Sequence, residues 1–456
     1  MSHTAEVVIC GAGIAGISTA YFLAVRHGIR NVLLVDERDP LSLTSDKSTE
    51  CYRNWWPGPG DAMVSLINRS IDLMEELAIK SGNIFHLNRR GYLYVTGDPA
   101  KVIPMQEEAL KTSQLGGGPL RIHSGQPNDP DYTPSHPSEF LHQPGGADLI
   151  LDPALLKRHF PYLTDRAVAA LHARRAGWLS AQQLGTYLFD QARASGAQLS
   201  RGRVSAVDTR GGQVKTIKLQ DGQRVDTPYF VNAAGPFLSE VGRMIGIELP
   251  VFSEIHLKVA FNDHLGIVPR QSPLLIWSDS QFLPWSQEER LLLSEDEGTR
   301  WLLEELPPGV HTRPEGGADS PVVLMLWEYH TTPHEPVWPP PLDMQYPEIA
   351  LRGLTAILPD LRKYFGKSPR PVLDGGYYTK TRENRPLIGT TPVDGAYVIG
   401  ALSGFGVMAG CASGELLAQH ITGNSLPSYA PYFSLQRYTD PAYLRLIQDW
   451  GVSGQL

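Results

Sequence analysis

Gly11, Gly13 and Gly16 stand at the G-x-G-x-x-G spacing that closes a chain around a pyrophosphate. The first glycine permits a tight turn, and the second lets phosphate approach the backbone. The third lets the next helix lie close to the preceding strand, so that its N-terminus directs free N–H groups at the phosphates. Ala12, Ile14 and Ala15 fill out this loop and helix start. Asp36 follows 20 positions after Gly16, with Glu37 beside it. A carboxylate there accepts hydrogen bonds from ribose hydroxyls and repels a 2′-phosphate. A glycine-rich turn without a ligand would also satisfy the glycines alone; strand, helix and acid together point to a dinucleotide.

A second glycine turn, Gly404-Phe405-Gly406-Val407-Met408, follows an apolar run over 396–400 and opens a helix to about 421. No acid follows it, so it suits backbone N–H contact with another part of one large cofactor; the alternative is a tight turn between core elements. Between the two turns lies a long polar segment over 38–60, whose Thr44, Ser45, Ser48 and Thr49 suit contact with a cofactor.

The elements that must position these groups follow from period and punctuation. Continuous apolar runs at 7–9 and 32–35 read as doubly covered parallel strands. Asp61 is expected to cap a helix over 62–81 that Gly82 stops, and 90–95 alternates like a half-buried strand opening a second, antiparallel sheet. Residues 114–147 lack an apolar pattern and read as an exposed excursion or a disordered insert. Helices are expected up to Pro161 and over 181–195. Hairpins follow over 204–207, 214–219 and 224–225, then an apolar strand running into Asn232-Ala233-Ala234-Gly235-Pro236. Beyond 249 come candidate strands at 257–261 and 322–329, a proline-rich stretch at 337–341 read as a stiff surface connector, and a helix over 349–358.

The chain has 456 residues, 42% hydrophobic and 19% charged, with a net charge of −8. This length implies two or three domains, and the charge argues against a nucleic-acid partner. Cys10, Cys51 and Cys411 show no metal spacing and suit buried thiols in a reducing compartment. No signal peptide is read at the start, and no apolar run approaches the roughly 20 residues of a membrane span, so a cytoplasmic location is expected.

These segments in this order resemble the FAD-dependent amine and amino-acid oxidoreductases, the family of D-amino-acid oxidase, glycine oxidase and monomeric sarcosine oxidase. The likeness is carried by Gly11, Gly13, Gly16, Asp36, residues 231–236, Thr381, residues 386–389 and residues 403–406, and covers the chain outside 114–147 and 285–345. It implies an α/β fold: a Rossmann-like FAD-binding domain from 1–87, 178–246 and 374–456, and a mainly antiparallel substrate domain from 88–177 and 247–373. It implies that Val204 meets the adenine, that Ala234 and Gly235 approach the cofactor, and that the 404–408 turn meets the flavin's pyrimidine edge. By the same likeness Arg53 holds a substrate carboxylate and Tyr378 faces the substrate; a structural ion pair and a core aromatic are the alternatives. Trp55 and Trp56 are expected to wall an apolar pocket or to pack between domains.

Departures from the sarcosine oxidases qualify the likeness. Met408 stands in place of a lysine, and Leu326 in place of the lysine near flavin N5, where Lys258 is a candidate substitute. Gly376 stands where a cysteine tethers FAD, so FAD is expected to be non-covalent. The activity implied is oxidation of the C–N bond of an amino acid or N-substituted amine, by hydride transfer to flavin N5 and hydrolysis of the imine. Electrons would pass to O2, giving H2O2, or to another acceptor. The competing readings are a 2-hydroxy-acid dehydrogenase, which needs a histidine base such as His256 or His330, and a flavin redox sensor without turnover. Oligomeric state is not legible.

Overall fold

The computed structural model describes residues 3–329 and 332–448; His330 lies outside them. Six strands form a sheet in the order Gln198–Arg201, Val32–Asp36, Val7–Cys10, Tyr229–Asn232, Ala396–Gly400 and Leu387–Thr390. All pairs are parallel except the last. The central run Val7–Cys10 is wholly buried because both faces are covered. Val7 and Ile9 join a core with the helices Ile14–Tyr21, Ala62–Ser81 and Gly406–Thr422. Val8 and Cys10 point the other way, into a core built with Val207, Val214 and Ile217 of the hairpin meander.

That meander is a four-stranded sheet of Val204–Arg210, Gln213–Leu219, Arg224–Asp226 and His3–Thr4, the last a short parallel strand not expected from the sequence. A two-stranded pair joins Cys51–Arg53 to Ala176–Trp178, and a nine-stranded sheet completes the fold. Its order is Val372–Lys380, Phe252–Asn262, Val322–Leu326, His311–Pro314, Leu274–Trp277, Tyr92–Thr96, Ala169–Ala173, Ala147–Ile150 and Leu120–His123. Only two of its pairings are parallel, so it is the mainly antiparallel sheet expected.

Several local expectations need correction. Residues 114–147 are not simply an exposed excursion: Leu120–His123 is the edge strand, and Tyr132 packs against His172 and Phe160. The apolar pattern is missing because the segment is held by polar partners, with Asp148 receiving Arg121, His123 and Arg174. Satisfied polar networks of this kind leave no periodic signature. Asp61 precedes the helix Ala62–Ser81 but caps it with no side-chain bond, whereas Gly82 stops it at φ 67° as expected. The strand expected over 322–329 ends at Leu326, and the helix expected over 349–358 runs Tyr346–Leu354.

The proline-rich stretch is more than a surface connector. The Val337 N–H donates to the Tyr377 hydroxyl, Trp338 lies between Arg38 and the Tyr377 ring, and Pro341 and Leu342 wall an interior cavity. Among the described residues no helix is long and apolar enough to cross a membrane.

Candidate active site

The central strand ends at Gly11, whose φ of 115° suits glycine, and a Cβ there would collide with the carbonyl oxygen of Ala233. A Cβ on Gly16 would strike the Gly11 carbonyl, so the third glycine brings helix against strand. Gly13 differs: its nearest neighbour for a Cβ is Ser45 Oγ at 3.3 Å, and as the N-cap of the helix Ile14–Tyr21 it offers no side chain of its own. Asp36 accepts from Ala12 N at 2.7 Å and from Arg38 N at 2.9 Å. Burial raises its pKa above the usual carboxylate value, against the pull of these two bonds. The acid therefore braces the glycine loop, and lone pairs remain on its oxygens for a ribose.

Of the four hydroxyl residues, only Ser45 approaches the helix start, accepting from Ile14 N at 3.0 Å. Thr44 donates to the Tyr377 carbonyl and Ser48 accepts from Glu50 N. Thr49 offers its carbonyl to Arg313. These bonds tie the segment to Tyr377 and Arg313 and, at Glu50, to itself, a role that hydroxyl content alone does not reveal.

Three cavities run on from one another. The first, about 130 Å³, lies among Asp36, Glu37, Val204, Ala234 and Gly235. The second, about 90 Å³, shares Gly13, Thr44, Ser45 and Gly235 with it. The third, about 410 Å³, shares Ser48, Tyr378, Gly404 and Val407 with the second, and is also lined by Thr49, Arg53, Phe405 and Met408. Gly406 faces the second cavity and opens a helix whose N-cap, Phe405, has no side-chain cap. Ala401, Ser403 and Gly404 all take left-handed φ angles at this turn. Backbone strain of that kind concentrates at binding sites.

In the third cavity Arg53 is buried, its guanidinium 4.5 Å from the centre of the Trp56 ring. Trp55 and Trp56 pack in separate cores, and neither lines the cavity. Tyr378 fills the face of Gly404 so tightly that a Cβ would strike its ring, and it stacks on His256 at 3.8 Å. His256 sets Nε2 3.4 Å from Glu254 and Nδ1 3.2 Å from Glu328, while Lys380 pairs with Glu254 at 2.5 Å. Burial opposes charge on His256, yet Glu328 and Glu254 outweigh it and leave the pKa raised above 6.5. The His256 pair thus stabilises the fold fully below pH 6.5, and that contribution is lost as pH rises through the raised value. An NMR titration of the histidine ring protons is expected to find one midpoint above the ordinary range; a midpoint at or below 6.5 would refute the imidazolium.

Leu326 and Met408 both face this cavity. Lys258 donates instead to the carbonyls of Asp46 and Ser48, bracing the polar loop, and a Cβ on Gly376 would press against Lys47. Glu254, Glu328 and Lys380 were not singled out in the sequence. The usable signal was Glu254-x-His256-x-Lys258, charges at alternate positions within an otherwise apolar strand.

The sequence profile of the family described as FAD dependent oxidoreductase, abbreviated DAO, matches residues 6–420. This chain belongs to that family. Its members are FAD-using enzymes, and the trough fits FAD by two features: a helix start at Gly406 whose N-cap residue makes no side-chain bond, and cavities that share lining residues from Asp36 to Arg53. Among curated relatives, the mitochondrial dimethylglycine dehydrogenase of Homo sapiens is 23% identical over 316 residues, 67% of this chain and 33% of that protein. The mitochondrial sarcosine dehydrogenase of Mus musculus is 26% identical over 279 residues, 59% of this chain and 26% of that protein. The chain spans about a third of the length of the first of these. Among solved structures, L-proline dehydrogenase from P. horikoshii matches with a TM-score of 0.72 at 19% identity, covering 96% of this chain and 99% of that one. Glycine oxidase from Geobacillus kaustophilus matches with a TM-score of 0.71 at 16% identity, covering 95% and 99%. At these identities the two structures speak for the family's fold.

Proposed function

We propose that this family member oxidises the C–N bond of an amino acid or N-substituted amino acid. Support comes from one arrangement: Arg53 and Tyr378 line the same cavity as the turn Gly404 to Met408. The names of the curated relatives, dimethylglycine and sarcosine dehydrogenase, agree with such a substrate.

In this proposal residues 1–87, 178–246 and 374–456 hold FAD non-covalently, and residues 88–177 and 247–373 cover the substrate. Gly11 to Gly16 and Ser45 cradle the pyrophosphate, Asp36 takes the ribose, Val204 flanks the adenine, and the helix start at Gly406 meets the flavin ring. Bound there, FAD supplies the two-electron acceptor for the C–N bond, and water then hydrolyses the imine. Arg53 holds the carboxylate through its planar fork of donors. Tyr378 lines the same cavity, with its hydroxyl kept protonated by burial. The apolar walls Leu257, Leu326 and Leu342 exclude water from the amine. A cytoplasmic setting is consistent with three buried, free thiols.

Anaerobic mixing with glycine, sarcosine, N,N-dimethylglycine, proline and their 2-hydroxy counterparts tests this. Loss of the oxidised flavin absorbance with amines alone is expected. Bleaching by hydroxy acids instead would assign C–O oxidation, and no bleaching at all a redox sensor. Against C–O oxidation stands His256, which holds a carboxylate at each ring nitrogen and has no lone pair left to act as base. We assign the electrons to O2, so reoxidation in air should yield hydrogen peroxide; reduced flavin that persists in air would make the protein a dehydrogenase.

A further inference from the structure

Glu328 is the one member of the buried Lys380–Glu254–His256–Glu328 chain whose carboxylate opens onto the third cavity. Its Oε1 lies 3.2 Å from His256 Nδ1, and its side chain is 25% exposed. Among the described residues Oε2 has no hydrogen-bond partner. Glu254, by contrast, is enclosed between Lys380 and His256 and does not line the cavity.

Lys380 pairs with Glu254, and His256 faces Glu328, while Arg53 lines the same cavity. A substrate carboxylate answers Arg53. Glu328 then presents an oriented acceptor, fixed by the stacked His256–Tyr378 pair, in a cavity whose other walls are largely apolar.

We propose that Glu328 recognises the substrate's amine, accepting a hydrogen bond from its N–H on Oε2, and so makes the site select a zwitterion over a simple carboxylate. This rests on the amino-acid reading of the same site. Burial works against charge on Glu328, but His256 and Lys380 hold its pKa below the ordinary value, which keeps the acceptor ionised at neutral pH. His256 is a positioning residue here: it holds Oε1 so that Oε2 faces the ligand. The remaining titratable side chains lining the cavity are Glu50, Cys51, Arg53, Tyr92, His311, Tyr329, His334, Asp343, Tyr346 and Tyr378. Glu328 combines, among the described residues, an oxygen without a hydrogen-bond partner with a contact to the His256 clamp.

The test uses isosteric ligand pairs on the FAD-loaded enzyme: N,N-dimethylglycine against isovalerate, and proline against cyclopentanecarboxylate. Within each pair the nitrogen is replaced by carbon and the carboxylate is kept. Dissociation constants are read anaerobically, from perturbation of the flavin absorbance for the carbon members and from the extent of bleaching against concentration for the amines. Wild type is expected to prefer at least one amine about 10- to 100-fold, the range of one hydrogen bond to a charged group. In Glu328→Gln, which keeps an oxygen acceptor for His256, the preference should shrink to within about threefold while binding of the carbon member is unchanged. Glu328→Asp should retain part of it. A Glu328→Gln protein that keeps the full preference, or loses affinity for both members equally, overturns the assignment, because either result leaves Glu328 a mere partner of His256. If amines bleach wild type while Glu328→Gln keeps the preference, the amino-acid reading stands and this inference alone falls. If no ligand of either kind perturbs wild type, both fall.

Discussion

Replacing Arg53 by alanine is expected to weaken capture of a carboxylate-bearing substrate about 100-fold, with FAD content unchanged. A buried, charge-assisted fork of hydrogen bonds supports a loss of roughly 3 kcal/mol, and about 1.4 kcal/mol corresponds to each factor of ten. The guanidinium also lies over Trp56, so part of any effect could come from packing. Arg53→Met separates the two, since it keeps a long apolar stem against the ring without the donors. KM and ligand Kd should rise alike in the alanine and methionine variants, and Arg53→Lys should recover only part of the loss because a point charge lacks the planar fork. Unchanged affinity in Arg53→Met would remove Arg53 from the site.

The second large effect concerns the glycine loop. Gly11→Ala is expected to destabilise the FAD-free protein by about 3 kcal/mol or more, through a left-handed φ combined with a backbone collision. The collision is with the Ala233 carbonyl, just past the strand Tyr229–Asn232 beside the central strand, and neither segment can yield without disturbing the sheet. Gly13→Ala contrasts with it. Gly13 has φ −76°, and a Cβ would meet only Ser45 Oγ at 3.3 Å, so that variant should fold with nearly wild-type Tm yet lose FAD affinity. Thermal melts of the stripped proteins, with flavin content after reconstitution, measure both. Equal Tm for Gly11→Ala and wild type would contradict the packing described here.

The two variants also mark what was legible in the sequence. Period and punctuation located Val7–Cys10, Ala62–Ser81, Gly82 and the hairpins because each depends on its own residues: a doubly covered apolar run, a 3.6-residue stripe, a left-handed stop. The glycine spacing located the loop and the roles of Gly13 and Gly16, but not that Gly11 packs against the Ala233 carbonyl. The strands Leu274–Trp277 and His311–Pro314 were missed, since His311-Thr312-Arg313-Pro314 carries no apolar alternation and is buried through its hydrogen bonds. Thr44 and Ser48, expected along the cofactor, line the second cavity, and they also bond to the Tyr377 carbonyl and to Glu50 N, which hydroxyl content alone does not reveal. Arg53 and Tyr378, 325 positions apart, were placed by family likeness, and their shared cavity follows from a fold that no local pattern encodes. The partnership of His256 with Glu328 was hidden for a related reason: it joins the strand Phe252–Asn262 to the segment just past Val322–Leu326, and which residues meet there is a property of register.

The absence of room between Gly404 and the Tyr378 ring bears on how such an enzyme could acquire a new substrate. A wall packed to contact against a turn with three left-handed residues has no slack, so a change in side-chain size there moves the helix start as well as the ring. Other lining side chains are different. Ile255, Leu326 and Leu342 contribute side chains from two strands and a loop, and truncating one of them enlarges the cavity without touching the Gly404 turn. Diversification toward bulkier amines is therefore easiest at those three side chains, where libraries intended to broaden substrate range should be concentrated.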